Sequence, residues 1–146
     1  RRDAMAGGPF AKLLLRLAAG DIASAEHLVA QCAARLVSGA HARRDDHSVS
    51  REVGLPLARA FVAFARSEHD TAAEALFSVR HAALRCGGTR IEHEVIDFTL
   101  LAASAAGQRG ALGRAVANEH ALMQAATPLS RHWAEALSEG AQRRRP

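Results

Sequence analysis

The densest group of residues able to do chemistry is Glu92-His93-Glu94 with Asp97. His93 and Asp97 are four apart and Glu94 and Asp97 three apart, so on a helix they share a face. A histidine beside carboxylates could polarise a water or hold a metal. Two or three ligands on one helix, with no second contributing segment, are too few for that. Arg80, Arg85 and Arg90 lie nearby in sequence, and a structural network of these arginines with the acids fits the pattern better. A second polar group, His41, Asp45, Asp46 and His47, has ligand types but no periodic element to order it. It reads as a solvated loop. Cys32 and Cys86 form no CxxC pair and read as buried thiols in a reduced, cytoplasmic setting. There is no GxSxG elbow, no HExxH, and no Walker or dinucleotide glycine motif. The sequence thus points to no catalytic residue, no metal and no cofactor.

The elements that must position these residues are helical. Alanine occurs 34 times in 146 residues, and tyrosine is absent. Alanine is the best helix former because it loses no side-chain entropy. The excess of alanine and of arginine over lysine also fits a GC-rich, bacterial coding sequence. No segment alternates with period two, so no sheet is expected. No apolar run approaches the ~20 residues that span a bilayer. Residues 1–8 read as a flexible leader, 9–139 as one helical domain interrupted by a loop at about 39–51, and 140–146 as a frayed basic tail.

About seven helices are expected, at 9–19, 22–38, 52–67, 71–86, 90–106, 109–126 and 128–139. Asp21 and Asp70 are read as N-caps. Pro56 and Pro128 fall in first turns, where a missing N–H does least harm. Gly87-Gly88 stops one helix, and Thr89 with Glu92 has the spacing of a capping box for the next. This is the sharpest local signal in the chain. Because the Gly-Gly follows a helix and not a strand, it reads as a cap and not a phosphate cradle.

The helices fall into antiparallel pairs. Gly20…Ala25…Val29 is repeated by Ser67…Ala72…Leu76, and loosely by Gly107…Gly113…Val116. A small residue at the turn and another inside the second helix permit close packing. This pattern predicts a right-handed, tetratricopeptide-like helical-repeat array, although 47 and 41 residues exceed the usual repeat of ~34. In such arrays the first helix of each pair lines a concave face. That assigns Leu57, Phe61 and Phe64 to the face in one pair, and Glu94, Asp97 and Leu101 in the next. If exposed, Phe61 and Phe64 would be candidate anchors for a partner, but their helix is apolar nearly all round, which favours a core role for both.

The stretch 53–137 carries a more specific likeness. Leu55-Pro56-Leu57 opens a helix, Arg80 and Arg85 precede Gly87-Gly88-Thr89, and Thr127-Pro128-Leu129 opens the last helix. In this it resembles the C-terminal part of the tetratricopeptide repeat protein 38 family. Where that family has Gln-Arg-Asp, this chain has Glu92-His93-Glu94. The resemblance implies a helical-repeat portion of a longer protein, or a shortened relative, with no established enzymatic activity.

The formal charge of +4 and the pI of about 10.4 suggest a nucleic-acid or anionic-surface binder as one alternative. A metal-dependent enzyme centred on His93 and Glu94 is another. Yet Arg1, Arg2, Arg143, Arg144 and Arg145 carry five of the positive charges. Between residues 3 and 142 there are 14 basic and 15 acidic residues. The body is nearly neutral, which removes most of the case for nucleic acid. The expected function is therefore a non-catalytic interaction module that docks a protein or peptide. Its partner-binding candidates are Phe61, Phe64, Arg80, Arg85, His93, Glu94 and Asp97. A homodimer would cover the open end of a short array.

Overall fold

Seven α-helices form in the computed structural model, which describes residues 9–38, 49–85 and 90–143. They are α1 (Pro9–Ala18), α2 (Ile22–Ser38), α3 (Leu55–Ala65), α4 (His69–Arg85), α5 (Arg90–Ala106), α6 (Gly110–Met123) and α7 (Pro128–Arg143). No strand occurs among the described residues, so the protein is all-α. No helix is long and apolar enough to cross a membrane among those residues. The loop at about 39–51 lies mostly outside the described residues, as do Cys86 and the Gly87-Gly88-Thr89 turn.

Each helix packs on the next in sequence. The odd-numbered helices also touch one another in succession, α1 with α3, α3 with α5, and α5 with α7. The main core runs from Leu57 and Phe61 on α3, through Leu76 and Val79 on α4 and Leu100 and Leu101 on α5, to Val116 and Leu137. A smaller cluster of Leu13, Ala25 and Val62 ties α1 and α2 to α3. Phe10 meets Phe61 edge to face, with ring centroids 5.6 Å apart.

The first two turns are built alike. Gly20 has φ +76° and Ser67 has φ +63°. At each, the residue after the turn bonds back five residues, Asp21 N–H to the Arg16 carbonyl and Glu68 N–H to that of Ala63. The turn residue bonds back three, to Leu17 and to Phe64 respectively. This is the Schellman cap. Ala25 and Ala72, each five residues on, are both completely buried. The 47-residue spacing seen in the sequence thus has a structural counterpart. Serine in the left-handed region costs roughly 1 kcal/mol that glycine does not. Ser67→Gly is therefore expected to raise stability by about 0.5–1 kcal/mol in thermal or denaturant unfolding. A loss of stability would show that Ser67 does more than turn the chain.

The third turn is different. Asp70 does not cap α4, as the sequence suggested, because the Ser67 turn starts that helix at His69. Its carboxylate instead accepts a 2.6 Å hydrogen bond from the Gln108 N–H in the turn between α5 and α6. A side chain at Gly107 would collide with it. Asp21 does cap, accepting from the Ser24 N–H at 3.1 Å. The hydrogen bonds from Ser24 hold its carboxyl below the usual range.

Three other boundaries depart from expectation. Before α3 the chain makes a wide π-helical turn over Ser50–Gly54. Pro56 therefore lies inside a continuous helical stretch, and widening the preceding turn accommodates its missing N–H and bulky ring. Helix α6 ends at Met123, since Gln124 is extended. Pro128 then opens α7. Thr127 Oγ1 accepts from the Ser130 N–H at 3.1 Å while Ser130 Oγ accepts from the Thr127 N–H at 2.8 Å. The expected frayed tail is helical as far as Arg143. Finally, Cys32 is half-buried and not core.

Candidate functional site

The α4 helix presents Arg80 to the interior, where it is 4% exposed. A guanidinium is buried only when its donors are satisfied. Here Nε and Nη2 donate to the two carboxylate oxygens of Asp97 on α5, at 2.9 and 3.2 Å. Nη1 donates to Glu119 on α6 at 2.8 Å. One side chain thus joins three helices. Burial pulls the Arg80 guanidinium down, but the hydrogen bonds from Asp97 and Glu119 outweigh it and hold it above the ordinary arginine value. The Arg80 hydrogen bond in turn holds the Glu119 carboxyl below its ordinary range, against the opposing effect of burial.

The neighbouring group is likewise engaged. Arg90 donates from Nε to Glu94 at 2.9 Å and from Nη2 to the Gln124 side chain at 2.9 Å. Of the residues that the sequence grouped as a polar cluster, Asp97 belongs to Arg80 and Glu94 to Arg90. The expected arginine–carboxylate network forms, with Glu119 and Gln124 as members no local pattern announced. Glu119 comes from α6 and Gln124 from the turn after it, each more than 30 residues away from its arginine, and only the packing of α6 brings them in. Glu92 and His93 are half-buried in the first turn of α5, and Arg85 lies exposed in the last turn of α4. His93 Nδ1 is buried without a protein partner, as are His69 Nδ1, Ser104 Oγ and His120 Nε2. The His120 ring lies against Phe98, centroids 5.5 Å apart. No group of three histidine, cysteine or acidic side chains converges on a metal position among the described residues. With Asp97, Glu119 and Glu94 held by arginines, the network locks helices together.

Of the two phenylalanines, Phe61 takes the core role that its apolar helix favours. Phe61 is 4% exposed and belongs to the main core, as do Leu57 and Leu101. Phe64 is half-buried and meets the His69 ring edge to face, at 5.7 Å. Helix α3 is flanked by α1, α2, α4 and α5, and its most apolar stripe, Phe61 included, is consumed by them.

Among the described residues, an open groove lies between α2 and α3. It holds about 300 Å³, with a floor of Val29, Ala30, Val62 and Ala63. Its rim carries Glu26, Arg59, Arg66 and Glu68. Arg66 bonds Glu26 at 2.6 Å and Glu68 at 3.0 Å. That leaves Arg59 as the exposed cation on the rim. Sequence reasoning missed this site because its residues come from two helices separated by the long loop. Arg59 on α3 and Arg66 just after it, seven apart and so on one face, were the available signal. No family model matches the chain, and neither curated proteins nor solved structures show a match to it.

Proposed function

We propose that the chain is a non-catalytic helical-repeat interaction module that binds a peptide segment of another protein in the α2–α3 groove. The observation that carries this reading is the groove itself, an apolar floor beside an exposed arginine on paired helices. An aliphatic side chain of the ligand would lie on Val29 and Val62, and a carboxylate would meet Arg59. The tetratricopeptide-like assignment draws support from the two matching Schellman turns and from the succession of contacts among odd-numbered helices. A bacterial cytoplasmic setting goes with the same reading. Self-association through an open end would use the α1–α2 side, since α7 turns Arg131, His132, Glu135, Glu139 and Gln142 outward at the other end.

The test is selection from a displayed peptide library followed by calorimetric titration of the selected peptide. Acidic-aliphatic peptides should be enriched, and Arg59→Glu should weaken their binding about tenfold or more while leaving the fold intact. Loss of one exposed charge-assisted contact corresponds to about 1.4 kcal/mol, the free energy of a tenfold change. Peptides that bind wild type and Arg59→Glu alike would move the site elsewhere.

A further inference from the structure

The large apolar side chains left exposed are not scattered. All except Leu15 and Phe77 lie at one end of the array. Helices alternate in direction, so the last turns of α4 and α6 and the first turns of α5 and α7 come to the same end. The Arg90–Gln124 hydrogen bond fixes α5 against the α6–α7 turn there. Leu84 (47% exposed), Ile91 (72%), Leu122 (87%), Met123 (78%) and Leu129 (48%) stand at these four helix ends. Val37, in the last turn of α2, points to the same end and is 89% exposed.

Among the described residues the exposed charges around them are mainly basic. Arg51, Arg85, Arg90 and Arg131 are exposed in these turns, and of them Arg90 is engaged by Glu94 and Gln124. Against them stand Glu52, exposed in the π-helical turn, and Glu92, which is half-buried. Separate aliphatic tips with arginines between them are suited to a negatively charged surface.

We propose that this end of the array docks on an anionic lipid surface, the aliphatic tips entering the headgroup boundary and the arginines pairing with lipid phosphates. A second copy of the chain is a poor occupant, because Arg85, Arg90 and Arg131 would face their own copies. A partner helix is also disfavoured. Such a helix reads a groove at i, i+3 and i+4 spacing, whereas these side chains stand on four separate helix ends. The lipid surface needs no matching backbone path. This reading is independent of the α2–α3 groove, at which none of these residues lies.

The test is flotation of the 146-residue chain with two kinds of vesicle, one of phosphatidylcholine alone and one of phosphatidylcholine mixed equally with phosphatidylglycerol. Binding to the anionic vesicles should be at least about tenfold stronger. It should weaken as salt shortens the screening length below ~10 Å. Leu122→Glu with Met123→Glu should reduce binding to the level of phosphatidylcholine. Arg85→Glu with Arg131→Glu should do the same. All four positions are exposed, so both variants should keep wild-type circular dichroism and melting temperature. Equal binding to both vesicles would overturn the proposal, as would variants that bind like wild type. So would a wild-type dimer in sedimentation that the Leu122→Glu/Met123→Glu pair dissolves, which would assign the patch to a second copy.

Discussion

Replacing Arg80 by methionine is expected to destabilise the protein by about 2–3 kcal/mol, near the low end for breaking a buried ion pair. Methionine keeps much of the volume but none of the donors. Asp97, with its carboxylate 19% exposed, loses a bidentate partner, while Glu119 at 46% can turn to water. The cost should therefore come mainly from Asp97. In a domain of this size it lowers the melting temperature by roughly 5–10 °C. Arg80→Lys should recover little, because one ammonium cannot span both carboxylates at these angles. The pH dependence follows from Glu119. Its folded carboxyl is held below the ordinary value, so its stabilisation is fully present above that ordinary value, about 4.3. It is lost as pH falls through the lowered folded value. Wild type and Arg80→Met should thus differ most near neutrality, and their unfolding curves should converge in acid. A variant within about 0.5 kcal/mol of wild type at neutral pH would show that the network contributes no net stability.

The second large effect is expected at Gly113. A Cβ there would lie 2.6 Å from Ser104 Cβ on α5 and 2.7 Å from Leu137 Cδ2 on α7. Glycine in a helix interior ordinarily costs up to ~1 kcal/mol relative to alanine. Here the sign reverses, since all three positions are buried and backbone must move to admit the methyl. Gly113→Ala should lose about 1–3 kcal/mol, the usual cost of overpacking, and Gly113→Val more. Combining Gly113→Ala with Leu137→Ala should cost less than the two separate losses added together. The cavity left by leucine admits the new methyl, and coupling between touching residues shows as non-additivity. Strict additivity would mean that α6 relaxes away from Ser104 instead.

Much of the fold was legible in the sequence. The helix count and most boundaries follow from alanine content, glycine and proline punctuation and the spacing of apolar residues, all of which are local. The equivalence of Gly20 and Ser67 could be read from the buried alanine five residues after each. The failures occurred where a distant element decides. Asp70 looks like an N-cap by type, but the turn before it shifts the helix start and a neighbouring turn takes its carboxylate. Pro56 looks like a helix start, yet a π-helical turn lets the helix begin earlier. The site was less legible. Arg80 and Asp97 were grouped correctly because they lie 17 residues apart on adjacent helices. Glu119 and Gln124 arrive from a third helix and the turn after it and leave no local pattern. For Phe61 and Phe64 the repeat register points to an open face while the apolar character of their helix favours the core, and the core role is the one that packing on four sides gives Phe61.

The small cluster of Leu13, Ala25 and Val62 has a consequence for how the molecule breathes. Helices α1 and α2 are fastened to the rest through that cluster, through the half-buried Phe10, Leu14 and Leu17 of α1 against the main core, and through the exposed Glu26–Arg66 pair. From α3 to α7 the core is continuous, and Arg80 rivets α4 to both α5 and α6. Local opening takes the least free energy where the fewest apolar contacts must separate. The first helical pair is thus a hinged leaf that can lift while the remainder stays folded. The groove between α2 and α3 lies along that hinge, so any ligand seated there would also close the leaf.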